Sequence, residues 1–459
     1  MRNFLRDLWN DKRGNSLIMA AAALPMLLGS AGLATDTIQW ALWKRQLQRA
    51  ADSAAIAGVY DRVAHSGATT NVPTAVAHDL TLNQHTKINL MTGYPTFSYP
   101  DDAGSQKNQV KVTLKVQKSL SFSSMFMSAA PVITASAQAA TVGSSGEFCV
   151  LSLQNNSKTG IQATGNNSIT MDCGMMTNST ANNAAAGQGS ASVTATTIAA
   201  SGAIQQSNNW HLTQGYQPYS PALDDPYADL KPETDASKGS YDFENCTNNG
   251  VPGKGGNLTV DNQNSGLIID ASDTAYGTHG TANAACFGSI SVNSNRTLTL
   301  KNGVFLINGG NADMQGNLIL DNAVLVLSNS SSATNATIGT YDANSSGTLK
   351  ATAMTTGKWA GIAVYQDRRA VDLAPTGNIT ASSPNKINGN STQKVTGVLY
   401  FPSQQLTYNG TGTGTATCTQ FVTKRIYWSG NSGLNSFTKN CTLAGMHAIT
   451  APTKVRLVA

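Results

Sequence analysis

Three rhythms of apolar and polar positions divide the chain. From Gly14 to Thr35 no side chain ionises, and GNSLIMAAAALPMLLGSAGLAT is close to the roughly 20 residues that cross a bilayer as a helix. Pro25 in its middle is tolerable in lipid, where neighbouring groups can satisfy the carbonyl it frees. Helical character continues beyond this run. The stretch from Asp36 to Gly58 has no proline and no internal glycine, and Leu47, Ala51, Ala54, Ala55 and Gly58 recur at three-to-four-residue spacing, a stripe of small apolar residues on one face. The pattern predicts one long helix, half in lipid and half packed on a domain. Pro73 suits the first turn of a second helix running to about His85. NQVKVTLKVQK then alternates through Val110, Val112, Leu114 and Val116 as a half-buried strand, and Val132 to Val142 reads as another. A small α+β unit over 36–145 is expected, closed by the flexible GSSG at 143–146.

From Glu147 onward short apolar runs are separated by Asn, Gly and Ser clusters, with almost no helical periodicity. LTLKNGVFLING, Leu298 to Gly309, and LILDNAVLVLSN, Leu318 to Asn329, align without gaps at an offset of twenty residues. Leu298 matches Leu318, Leu300 matches Leu320, Asn302 matches Asn322, and Val304 matches Val324. If each copy is one coil of a right-handed parallel β-helix, equivalent residues stack about 4.8 Å apart, and the Asn302 and Asn322 amides can hydrogen-bond up the stack. Looser coils can be drawn at GIQATGNNSITMDC, GAIQQSNNWHLTQ, GNLTVDNQNSGLIID, GIAVYQ and GVLYFPSQQLTYNG. An antiparallel β-sandwich is the alternative, since strands every 8 to 12 residues would also suit it. The expected fold is therefore mainly β: residues 1–13 cytoplasmic, 14–35 transmembrane, 36–145 a helix plus small α+β domain, and 146–459 an extracytoplasmic β-helix.

Composition narrows the function. The 459 residues include only 12% Asp, Glu, Lys and Arg, about half the usual share, with a net charge of +5 and no run of five like charges. A nucleic-acid partner is not expected. The six cysteines, Cys149, Cys173, Cys246, Cys286, Cys418 and Cys441, all follow the anchor. An even count in an exported chain reads as disulfides, and sequential pairing would close three local loops; buried free thiols are the other reading. No CxxC occurs and no cysteine has a His three to five residues away, so neither a metal nor a cofactor is expected.

The anchor could instead be a cleaved secretory signal, with a basic start at Arg2, Arg6, Lys12 and Arg13 and Gly32-Leu33-Ala34 as the cleavage site. Both readings put residues beyond about 40 outside the cytoplasm, and the helix running on past the membrane edge favours retention. Arg13-Gly14, Leu24-Pro25, Gly32-Leu33-Ala34-Thr35-Asp36 and the run Leu47-Gln48-Arg49-Ala50-Ala51-Asp52-Ser53-Ala54-Ala55-Ile56-Ala57 resemble the N-terminal segment of the TadE/TadG-like proteins of Flp (tight-adherence) pilus assembly. The resemblance covers about residues 13 to 60. Pilin-like members carry a Glu five residues after the Gly, where this chain has Met19, so the chain is more TadG-like than a pilin. The resemblance implies a single-pass inner-membrane protein of a Gram-negative-type bacterium, with a cytoplasmic N-terminus, the bulk periplasmic or extracellular, and other Tad/Flp secretion components as partners.

Catalytic and metal chemistry finds little support. Asp270-Ala271-Ser272-Asp273-Thr274 resembles a DxSxS metal-ion-dependent adhesion motif, yet AYGTHGTANAACFG follows where that fold needs a helix. Asp224 and Asp225 raise a glycoside-cleaving carboxylate pair, but they sit in a proline-bracketed loop. Asp367-Arg368-Arg369 reads as an exposed turn with an Asp–Arg pair. His65, His78 and His85 lack a third ligand, and no GxSxG, HExxH or phosphate-binding loop is present. The expectation is a non-enzymatic structural accessory of Flp pilus assembly. An anchored or secreted carbohydrate-binding or carbohydrate-cleaving β-helix is the alternative, with cell-envelope polysaccharide as its partner.

Overall fold

The computed structural model describes residues 14–458 apart from 66, 83–88, 104–105, 143–145, 236–239, 242–247, 280, 344–346, 375, 390–392, 411–412, 416–417, 432, 438–440 and 451–453. The chain is mainly β with one N-terminal apolar helix, and it divides into two compact units, Met1–Ser144 with Thr453–Ala459, and Ser145–Pro452.

In the first unit a single helix, Gly14–Ala64, runs for 51 residues through Pro25 without a break, a length of about 76 Å at 1.5 Å per residue. Its two halves differ in what they touch. Leu47, Ala50, Ala51, Ala54, Ala55 and Val59 are fully buried against Val110, Val112, Leu114, Ile133, Ala135 and Ala137 of a four-stranded antiparallel sheet. The second helix, Val72–Leu82, adds Val72 and Val76 to this core. Small side chains allow the close approach: a methyl group added at Gly58 would lie 2.9 Å from Val110 and 3.1 Å from Val72. The strands Gln106–Gln117 and Val132–Val142 pair antiparallel, with Val112 opposite Ala137 and Leu114 opposite Ala135.

The C-terminus departs from the sequence reading. Residues 146–459 were expected in one domain, whereas Lys454–Leu457 pairs with Val132–Val142, Val142 opposite Lys454 and Ala139 opposite Leu457. A four-residue strand carries no local signal of which sheet it will join, because pairing is decided by register with a distant partner.

Among the described residues the second unit is built on a sheet of 25 strands, beside two small two-stranded sheets between residues 234 and 256. The pairs of the large sheet are parallel in three series, apart from Thr278–His279 against Ala282–Phe287. That register argues against the antiparallel sandwich, and the physical reason lies in the strands themselves. Phe148–Ser152, Ile362–Gln366 and most of Thr419–Trp428 are buried at every position, as parallel strands covered on both faces are. In the first series Val304 pairs with Val324, Leu325 with Val364, Tyr365 with Tyr400, Leu399 with Phe421, Phe421 with Val150, and Met175 with Ile198. The second carries Leu267, Leu298, Leu318 and Leu349 in register, and the third Leu258, Ile290, Ala312 and Tyr341. All three series contribute to one continuous apolar cluster. A second cluster lies on the other face of the first series, through Leu151, Met176, Val304, Val324, Tyr365 and Tyr400.

Tier order and chain order differ. The first strand of this unit, Phe148–Ser152, pairs with Thr419–Trp428, the second-last strand in sequence. The chain thus enters in mid-stack, builds outward to Tyr216–Gln217, crosses to the opposite end, and builds back from Leu258–Val260 until it meets its own beginning.

Candidate functional site

The surface of the long helix is the first functional feature. Beyond its packed half the helix exposes Met19, Leu24, Met26, Leu27, Leu28 and Leu33, each more than half accessible. Among the described residues this is the one helix long and apolar enough to cross a membrane. Where the exposed half begins, Asp36 is buried and accepts hydrogen bonds from Phe122 N at 3.0 Å, from Ser123 N, and from Ser123 Oγ at 2.6 Å. These bonds fix the loop between the two long strands to the helix.

The stacked-coil residues singled out from sequence fall into three groups. Leu298 with Leu318 and Leu300 with Leu320 are in register and fully buried in the large cluster, while Val304 and Val324, also paired, face the second cluster. Asn302 and Asn322 both adopt left-handed backbone, φ 57° and 52°, which asparagine tolerates better than most residues. Asn322 Nδ2 lies 3.4 Å from Asn302 Oδ1, and Asn302 Nδ2 donates to Asp270 Oδ2 at 2.9 Å. Asp270 also accepts from Ser272 N and Oγ, which holds its carboxyl below the usual carboxylate range. The residue of the DxSxS-like motif therefore ends an asparagine ladder. No cluster of metal ligands occurs among the described residues.

Cys149 is bridged to Cys173 and Cys418 to Cys441. Cys286 is also disulfide-bonded, and Cys246, its expected partner, lies outside the described residues. His65 pairs with Asp61 at 3.1 Å, His78 is exposed, and His85 lies outside the described residues.

The two aspartates of the proline-bracketed segment are unlike. Asp225 accepts from Arg368 and from Tyr400 Oη at 2.8 Å, whereas Asp224 is exposed and is not brought into this group. Tyr400 also reaches Tyr227 O at 3.2 Å, and Tyr365 donates to Leu230 O at 2.7 Å. Tyr227, Tyr365 and Tyr400 pack ring against ring. Burial raises the phenols of Tyr400 and Tyr227, the latter to about 12, so both are neutral donors at pH 7. The segment is a strap. Ser220 N bonds Ala200 O, Leu223 N bonds Asn178 Oδ1, and Glu233 N bonds His279 Nε2, so successive strap residues reach successive tiers. Beside it lies an open cleft of about 350 Å³ lined by Tyr227, Asp229, Lys358 and His447.

Asp367-Arg368-Arg369 forms the expected turn with its Asp–Arg pair, Arg369 to Asp367, but is exposed only in part. Asp367 is buried and accepts from Ser328 Oγ at 2.6 Å and Arg369 Nη2 at 2.8 Å, while Arg368 turns away to Asp225. Asp367 sits at the end of a buried strand beside the neighbouring tier, where an unpaired carboxylate would be costly.

One group escaped the sequence altogether. Arg425 is fully buried, donates to both carboxylate oxygens of Asp372, and meets Gln154 Oε1 at 3.3 Å. Gln366, Asn385 and Gln404 form a buried amide layer, with Gln366 Nε2 at 2.9 Å and Asn385 Nδ2 at 2.6 Å from Gln404 Oε1. The only local signals are the charges Lys424 and Arg425 inside the run TQFVTKRIYW and the paired glutamines after VLYFPS.

Compared with known proteins, residues 14–64 match the model of the Flp pilus-assembly TadE/G-like family. No curated protein and no solved structure matches the chain.

Proposed function

We propose that this protein is a single-pass, membrane-anchored structural component of Flp pilus assembly, without catalytic activity, that carries a right-handed parallel β-solenoid outside the cytoplasm. The observation that carries the reading is the coincidence of the family match with one element. Residues 14–64 are the long helix, apolar and exposed in its first half and packed on a sheet in its second. The parallel in-register tiers and the asparagine ladder support a solenoid. Two disulfides between described cysteines suit an oxidising compartment. A structural role is favoured because Asp225, the better placed of the two strap aspartates, is committed to Arg368 and Tyr400.

Deleting the gene in its native host tests the reading. Flp pili counted by electron microscopy should be lost, and restored by the full chain but not by a chain whose residues 14–35 are replaced by a cleavable signal. An unchanged number of pili in the deletion strain overturns the assignment.

A further inference from the structure

The loop joining Gln106–Gln117 to Val132–Val142 has the wrong surface for water. From Ser119 to Ala130 it carries no charge. Met125, Phe126 and Met127 are 75%, 76% and 51% exposed, and Val132 follows at 47%. Single exposed apolar residues are ordinary, but a contiguous group at a loop tip marks a surface that something apolar covers.

Its place on the helix says what does. Phe122 lies against Gly32 so closely that a methyl group there would sit 2.3 Å from the ring, and Asp36 holds Phe122 N and Ser123 by hydrogen bonds. The loop is therefore docked at residues 32–36, where the uncharged run ends. From Asp36 back to Gly14 the helix measures about 33 Å, against roughly 30 Å for a hydrocarbon core. In the other direction come Trp40, Trp43, Lys44 and Arg45, with Lys118 Nζ 5.8 Å from the centre of the Trp43 ring. Tryptophans and basic residues of this kind settle at the lipid headgroups. The loop tip is thus on the hydrocarbon side of that belt, beside the lipid-facing helix surface and continuous with it.

We propose that residues 121–128 are a second membrane-insertion element. Met125, Phe126 and Met127 enter the acyl region of the leaflet from which the helix emerges, and the Asp36–Ser123 bonds set their depth. Two attachments in one leaflet fix the tilt and rotation of the helix, which a lone helix leaves free. The proposal rests on the anchor reading above.

The test places a nitroxide on the full chain reconstituted at high dilution in vesicles of phosphatidylcholine and phosphatidylglycerol. None of the described cysteines is free, so an introduced thiol takes the label. Phe126→Cys and Met125→Cys report the loop, Leu27→Cys the anchor, and Thr70→Cys an exposed site of the small unit. Oxygen collides preferentially with labels in hydrocarbon and a nickel chelate with labels in water. The expected result is a loop label at least several-fold more accessible to oxygen than to nickel, with Leu27 deeper still and Thr70 in water. A loop label as nickel-accessible as Thr70 while Leu27 stays in lipid overturns the insertion and leaves the anchor standing. A loop label shielded from both reagents means that protein covers it and also overturns the proposal. Nickel access at Leu27 overturns the anchor itself.

Discussion

Arg425 has no exposed surface, and a guanidinium in that position is tenable only because Asp372 meets two of its nitrogens and Gln154 a third contact. Burial alone would raise the Asp372 carboxyl, but hydrogen bonds from Arg425 and from Lys424 at 2.9 Å outweigh it and bring it down to about 2. The unfolded value is roughly 3.9, so the folded state holds this proton more weakly than the unfolded chain does. Its contribution to stability is complete above about pH 4 and is lost as pH falls toward 2. Urea unfolding midpoints of the wild type between pH 5 and pH 2 should fall in that window, and Asp372→Asn should flatten the fall. At pH 7 the same substitution should cost about 3 kcal/mol by leaving Arg425 without a counter-ion. An equal acid response in both proteins would remove Asp372 as its source. Residues of this kind are hard to foresee. Asn302 and Asn322 were legible because a twenty-residue repeat placed them in equivalent positions, whereas Arg425 and Asp372 are joined by a fold that brings two unrelated loops and strands together.

The long helix was the most legible element, since its run of uncharged residues and its stripe of small ones obey a single local period. The strap was the least. Pro218, Pro221, Pro226 and Pro232 marked it as irregular, and nothing local revealed that it crosses the outward face of one strand series. Proline suits that course, because a segment without several of its amide donors cannot join the sheet it covers. What holds it are Asn178, Tyr365 and Tyr400, each on a different tier. Tyr400→Phe removes the donor to Asp225 and to Tyr227 O while keeping the ring in its cluster. Hydrogen exchange at the amides of Tyr227, Ala228 and Leu230 should then quicken by about tenfold, the loss of one hydrogen bond to a charged group. Exchange in Thr419–Trp428 should not change. Equal protection in the variant would mean that apolar cover, rather than the hydroxyl, holds the strap down.

At the scale of the large unit, the mid-stack entry has a consequence for how the chain folds. Phe148–Ser152 is made early, but its partner Thr419–Trp428 is made late, and Ser152 Oγ bonds Lys424 O across 272 residues. Until that junction forms, the tiers on either side of it each end in an unpaired strand edge, which is slow to close and prone to pair wrongly. The repeat in the sequence could reveal neighbouring tiers but not this junction, because the two strands that meet there share no repeat. Glu147 bridges Thr450, so the natural beginning and end of the unit lie together. A circular permutant that starts at Pro218, runs to Thr450, and continues through a short linker from Glu147 to Gln217 follows the tiers in order. It keeps the strap and cuts the separation across the junction to roughly one tier. With the Cys149–Cys173 and Cys418–Cys441 bridges formed in both, the permutant should reach a similar urea midpoint and refold at least several-fold faster than the unit in its natural order. Equal refolding rates would place the slow step inside the tiers, and a permutant that fails to fold would mean that the natural entry point guides assembly rather than delaying it.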